Sequence, residues 1–154
     1  MPEAGNCFGI ELSLERDSRV KEGDRTMRIL IVEDEFIIAE DLRLTLQDFG
    51  HEVIAIVSSG EEAIVYTDKF IPDIIFMDIK LDGKIDGIDA ARKIRVKHEI
   101  PIVFCSANID KITKKETTQI KPGIFISKPV EESKIKTALN NFMGQSYNTN
   151  LALQ

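Results

Sequence analysis

An α/β fold with a mostly parallel sheet and helices on both of its faces is predicted by three observations. From Met27 onward, short apolar runs alternate with segments of helical periodicity. The runs are continuously apolar, as strands buried on both faces require. Four of the five runs end in, or are closely followed by, a polar functional group. The carboxyl edge of a doubly wound sheet is where such folds carry their chemistry.

Each element has its own signal. Residues 1–26 are polar, contain Gly5, Gly9 and Gly23, and show one weak apolar pattern at Ile10, Leu12 and Leu14. They predict a flexible extension, and Met27 is a candidate natural start. The run Arg28-Ile29-Leu30-Ile31-Val32 predicts the first strand, 28–32. A helix over 35–48 follows, with Ile38, Leu42 and Leu46 on one stripe and Phe36 and Phe49 near its ends. Glu40, Asp41, Arg43 and Gln47 fall largely opposite, and Gly50 suits the helix C-terminus. A second strand over 52–57 and a helix over 60–68 follow. Pro72 precedes the third strand, 73–77, which ends at Asp78; Gly83 and Gly87 punctuate the loop beyond it. The remaining elements are a helix over 86–97, a strand over 101–105, a helix over 110–118, a strand over 123–126 and a helix over 130–142. Ile135, Leu139 and Phe142 give the last helix its stripe, after which the chain turns polar and is expected to fray. The predicted organisation is an extension over 1–26, one domain over 27–143 and a tail over 144–154. Connections between parallel strands are expected to be right-handed crossovers.

Composition narrows the function. A chain of 154 residues holds one domain with a full core. Its net charge of -6 argues against neutralising a nucleic-acid backbone. No apolar run approaches the roughly 18 residues of a membrane span, and the first residues lack a signal-peptide pattern. The two cysteines, Cys7 and Cys105, differ in setting, with Cys105 closing an apolar run as a buried small hydrophobe. A disulfide framework is not expected, in keeping with a cytoplasmic location.

The strand ends carry the chemical signal. The first strand gives Glu33 and Asp34, the third Asp78, the fourth Ser106, and the fifth Ser127-Lys128-Pro129. Carboxylates brought together at Asp34 and Asp78 repel unless a cation sits between them. A few hard oxygen ligands with room for water suit Mg²⁺. Lys128 offers a point charge for a phosphate oxygen, and Ser106 a hydroxyl. Asp78 is then either a metal ligand or a nucleophile of the kind that forms aspartyl phosphates. Taken singly, Asp34 or Asp78 is better explained as a solvated loop start or an N-cap. Jointly, separations of 44, 28 and 22 residues between Asp34, Asp78, Ser106 and Lys128 each span one or two βα units.

Val32-Glu33-Asp34-Glu35, Met77-Asp78-Ile79, Cys105-Ser106-Ala107-Asn108 and Ser127-Lys128-Pro129 together resemble the receiver domain of two-component response regulators. The resemblance covers roughly residues 27 to 143. It implies a flavodoxin-like five-stranded sheet in 2-1-3-4-5 order, with a cis peptide before Pro129. It implies that Asp78 accepts the phosphoryl group and that Mg²⁺ is held by Asp34, Glu33 through water, Asp78 and the Lys80 carbonyl. Ser106 matches the switch hydroxyl, Lys128 the phosphate-contacting lysine and Phe125 the aromatic switch position. Lys80 and Asn108 lie two residues beyond Asp78 and Ser106 and are expected to flank the approach to the phosphoryl group and tune its lifetime.

The implied function is phosphorelay signalling, not turnover of a substrate. The donor is a sensor histidine kinase or a histidine phosphotransfer protein. The output is a downstream protein target read through the face of the fourth helix, fifth strand and fifth helix, with room for a homodimer. The chain ends about a dozen residues after the last predicted helix, so no DNA-binding output domain is expected within it. A stand-alone receiver and one excised from a longer protein are both compatible. The sequence departs from the usual pattern in Ser at 106, Phe at 125 and a longer loop, Leu81-Asp82-Gly83-Lys84-Ile85-Asp86-Gly87. Among rivals, a haloacid-dehalogenase-type phosphatase needs an acid where Lys80 stands, and a dinucleotide-binding turn needs glycines where Glu33-Asp34-Glu35 stands. A non-phosphorylated pseudo-receiver is the alternative reading.

Overall fold

A computed structural model describes residues 25–108 and 110–152. The expected extension therefore lies outside the described residues except for Arg25 and Thr26. Five strands, β1 (Arg28–Val32), β2 (Glu52–Val57), β3 (Ile74–Asp78), β4 (Ile102–Ser106) and β5 (Gly123–Ser127), alternate with five helices. The helices are α1 (Phe36–Asp48), α2 (Gly60–Phe70), α3 (Gly87–Lys97), α4 (Lys111–Gln119) and α5 (Glu132–Ala152). The strands pair in parallel in the order β2-β1-β3-β4-β5, so the flavodoxin-like sheet that the resemblance implied is present.

The continuous apolar runs are explained by the pleat. Successive residues point to opposite faces, and both faces are covered. Ile29, Ile31, Ile74, Phe76, Val103 and Cys105 pack on one side with Leu42 and Leu46 of α1 and Ile135, Leu139 and Phe142 of α5. Leu30, Val32, Ile75, Met77, Ile102 and Phe104 pack on the other with Ala63 of α2 and Ile88, Ala91 and Ile94 of α3. Cys105 is a buried free thiol within the first of these clusters.

Local chemistry starts most helices. The Ser59 hydroxyl accepts the Glu62 N–H, the Asp86 carboxylate accepts the Asp89 N–H, and the Asp110 carboxylate accepts the Thr113 N–H. Helix α1 has no side-chain cap. The acids before it serve the site instead, and Glu33 Oε1 accepts the Glu35 N–H at 3.1 Å.

Boundaries differ from expectation in ways that matter. β3 and β4 each run one residue further than predicted, so Asp78 and Ser106 are the last residues of strands. Ala39, not Ile38, joins Leu42 and Leu46 as the buried stripe of α1, and Phe36 is 74% exposed. The last helix continues to Ala152. The apolar stripe of the sequence stops near Phe142, but no proline follows to interrupt the helical backbone.

Candidate functional site

Strand register brings the site together. Val32 lies beside Met77, Asp78 beside Cys105, and Ser106 beside Ser127, so β1, β3, β4 and β5 end nearly level. Backbone bonds then extend the ladder past each end. Glu33 N–H donates to Val57 O at 2.9 Å, Ile79 N–H to Cys105 O at 3.1 Å and Lys128 N–H to Ser106 O at 2.9 Å. The residues that follow the strands are thereby held by sheet hydrogen bonds rather than left on free loops. The Lys128–Pro129 bond is cis, as implied by the resemblance, and Lys121–Pro122 is cis as well.

Three carboxylates converge. Glu33, Asp34 and Asp78 each place an oxygen within 4.8 Å of the others. Glu33 and Asp78 are buried. Lys128 Nζ donates to Glu33 Oε2 at 2.8 Å and to Asp78 Oδ2 at 3.2 Å. Asp78 Oδ1 accepts the Lys80 N–H at 3.2 Å. One cation therefore faces two buried acids with a third beside them, a local excess of negative charge.

The electrostatics follow. Burial pushes the Glu33 carboxyl up to about 7; the Lys128 hydrogen bond opposes this and the Asp78 charge reinforces it. Burial depresses Lys128, but Glu33 and Asp78 together hold its ammonium above its usual value. Lys128 is charged throughout the neutral range, while Glu33 is poised to exchange a proton within it.

A cleft of about 880 Å³ opens over this cluster. Glu33, Asp34, Asp78, Ser106 and Lys128 line it, as do the exposed Lys80 and Asn108. Ser106 is buried, and its hydroxyl donates to Asn108 O at 3.1 Å. Phe125 does not line the cleft. It is half-buried against the cluster that contains Phe104, its cross-strand neighbour.

The comparisons agree with this geometry. The family described as "response regulator receiver domain" matches residues 29–140. The chain belongs to that family. It is 28% identical over 144 residues to the phyllosphere-induced regulator PhyR of Methylorubrum extorquens, covering 90% of this chain and 53% of that one. It is 32% identical over 112 residues to the transcriptional regulatory protein PdtaR of Mycobacterium tuberculosis, covering 73% of this chain and 54% of that one. The chain thus spans about half the length of these curated relatives. A crystal structure of the signal receiver domain of a modulated diguanylate cyclase from Desulfovibrio desulfuricans G20 superposes with a TM-score of 0.74 at 28% identity, covering 81% of this chain and 99% of that one.

As a receiver domain the protein is a signalling domain, and proteins of this family interact with kinases and downstream proteins. Receiver domains generally bind Mg²⁺ through an acidic pocket. The donor set here fits such an ion: carboxylate oxygens from three residues, hard and in excess of the charge that Lys128 balances. No helix among the described residues is long and apolar enough to cross a membrane.

Two residues of the site region were not singled out by sequence. A Cβ at Gly87 would fall on the carbonyl oxygen of Asp78, and the Gly87 N–H donates to Ile79 O at 2.8 Å. Gly87 had registered only as punctuation; its position opening a helix after a long loop was the available signal. Glu61, at the start of α2, accepts the Lys84 N–H at 3.0 Å. Its partner is a backbone group, and no pattern of residue types announces that.

Proposed function

We propose that Asp78 accepts a phosphoryl group from a phosphohistidine, in a reaction that needs Mg²⁺, and that the acylphosphate so formed switches a protein-interaction surface in a phosphorelay. The observation that carries this reading is the placement of Asp78. A buried carboxylate ends the central strand β3, with Lys128 Nζ on one oxygen and the Lys80 N–H on the other. A side chain fixed at both oxygens is preorganised for one line of attack.

In the proposed step an Asp78 oxygen bonds to phosphorus as the N–P bond of the donor histidine breaks. The electron pair goes to the imidazole, which is protonated as it leaves. Asp34 and Asp78 would hold Mg²⁺ directly, Glu33 through water, and the Lys80 carbonyl would complete the protein ligands. When bound, the ion supplies positive charge that offsets the charge of the phosphoryl oxygens. Lys128 is near enough to Asp78 to turn its ammonium to a phosphoryl oxygen. Ser106 can release Asn108 O and donate its hydroxyl to another. Hydrolysis by a water in line with the Asp78–phosphorus bond would reset the protein. The donor would be a sensor histidine kinase or a histidine phosphotransfer protein in the cytoplasm. The target would be a protein docking on α4, β5 and α5.

The test is labelling of the full chain by a phosphohistidine donor in the presence and absence of Mg²⁺. Wild type is expected to take up acid-labile phosphate only with Mg²⁺, and Asp78→Asn to keep its circular dichroism and take up none. Normal labelling of Asp78→Asn would overturn the assignment.

A further inference from the structure

The long loop after β3 is fastened at three places. At its inner end Gly87 lies against the Asp78 carbonyl, and its N–H donates to Ile79 O. At its tip the carboxylate of Glu61 accepts the Lys84 N–H at 3.0 Å, and a Cβ built at Gly83 would meet Glu61 Oε2 at 3.1 Å. Gly83 has φ of +126°, a conformation that a side chain resists. The carboxylate and the glycine thus fit each other. Between these points Ile85 covers α2 at Gly60, where an added Cβ would meet Ile85 Cγ1 at 2.8 Å.

The electrostatics of Glu61 agree with an anion seated among backbone donors. Hydrogen bonds from backbone N–H groups, first its own and then those of Lys84 and Ile85, hold its carboxyl below the usual carboxylate value.

The near part of the same loop forms the rim of the acidic cleft. Lys80 donates its N–H to Asp78, and Lys80, Leu81 and Asp82 line the opening. Only a few residues separate this rim from the Glu61 anchor, so the anchor limits how far the rim can swing.

We propose that Glu61 is a positioning residue for the phosphoacceptor: by clamping the loop at Lys84 it holds the Lys80–Asp82 rim across the approach to Asp78 and so sets the lifetime of the phosphoryl group. This rests on the reading of Asp78 as phosphoacceptor. In the step concerned, a water oxygen bonds to phosphorus as the Asp78 oxygen–phosphorus bond breaks. The carboxylate and inorganic phosphate are released, and the water's protons pass to phosphate and solvent. A loosened rim admits that water more often.

The experiment uses the full chain, phosphorylated with phosphoramidate and Mg²⁺, and follows loss of acid-labile phosphate. Glu61→Ala removes the acceptor, and Glu61→Asp withdraws it by one methylene while keeping the charge. Both are expected to accelerate loss by about threefold or more. Glu61→Gln keeps an oxygen that can accept the Lys84 N–H and is expected to stay within about twofold of wild type. Amide hydrogen exchange at Lys84 should speed up in the Ala and Asp variants and not in Gln, which a purely global loss of stability would not produce. Glu61→Asp decides the matter should Glu61→Ala fail to fold. Decay within about twofold of wild type in the Asp variant, or equal acceleration in Gln, overturns the clamp. If the wild-type chain takes no label, the phosphoacceptor reading falls and the clamp's role falls with it. Normal labelling with unchanged decay sinks the clamp alone.

Discussion

Glu33 shares Lys128 with Asp78, and the pairing does not offset the burial of its carboxylate. Its folded-state value of about 7 lies above the ordinary value of 4.5. For a raised acid the stabilising contribution is full below the ordinary value and is lost as pH rises through the folded one. Ionised Glu33 therefore costs the fold at neutral pH, and a divalent cation held by the three acids would relieve that cost. Two outcomes are expected. Mg²⁺ affinity, measured by calorimetry, should weaken several-fold from about pH 8 to about pH 6, as Glu33 takes up its proton. The rise in melting temperature caused by Mg²⁺ should be larger at the higher pH. Glu33→Gln should flatten both dependences; a variant that titrates like wild type would place the proton elsewhere. The acids themselves were legible because strand-end carboxylates have few structural reasons to recur at βα spacing. The poise of Glu33 was not, since it depends on how deeply the side chain sits.

The element that fixes the site is the turn from β3 into α3. Gly87 opens α3 as a buried residue, so close to the Asp78 carbonyl that no side chain fits between them. The obstacle is backbone of a central strand, which cannot step aside as the tip of a flexible side chain could. Gly87→Ala is accordingly expected to lower stability by about 3 kcal/mol. Urea denaturation measures this, and a loss under about 1 kcal/mol would mean that the turn re-forms elsewhere. Mg²⁺ affinity should fall in the same variant, because the displaced atom belongs to Asp78. Helices and strands were legible to within a residue or two from periodicity, Pro72, Gly50 and the apolar runs. The one large miss is the end of α5, which runs on to Ala152 although the apolar periodicity of the sequence stops near Phe142. The loop was legible as long but not as fastened, since its bonds to Glu61 use backbone N–H groups.

At the scale of the whole molecule, spacing predicted a parallel sheet covered on both faces, but not the order of its strands; that came with the family resemblance. The identity of donor and target is written in surfaces that no spacing encodes. What can be argued is how the site reaches such a surface. Ser106 ends β4 and Phe125 lies on β5 beside Phe104, with α4 and α5 flanking that strand in sequence. Ser106 now donates to Asn108 O. A phosphoryl oxygen on Asp78 would offer a second, charged acceptor that exists only after phosphorylation. A hydrogen bond of about 1 kcal/mol net shifts a two-state equilibrium roughly fivefold. A charged acceptor contributes more. If β4 moves to make that bond, the cross-strand pair Phe104–Phe125 transmits the movement to β5. Ser106→Ala should therefore bind beryllofluoride with Mg²⁺ as wild type does, since the acids and Lys128 are intact. Its amide shifts should stay near Asp78, while those of wild type spread through α4 and β5. Phe125→Leu should retain the local shifts and weaken the distant ones, because it keeps the Ser106 hydroxyl and removes the ring. Equal spread of shifts in wild type and Ser106→Ala would show that the surface responds to charge at Asp78 without the hydroxyl, and would end the switch role of Ser106.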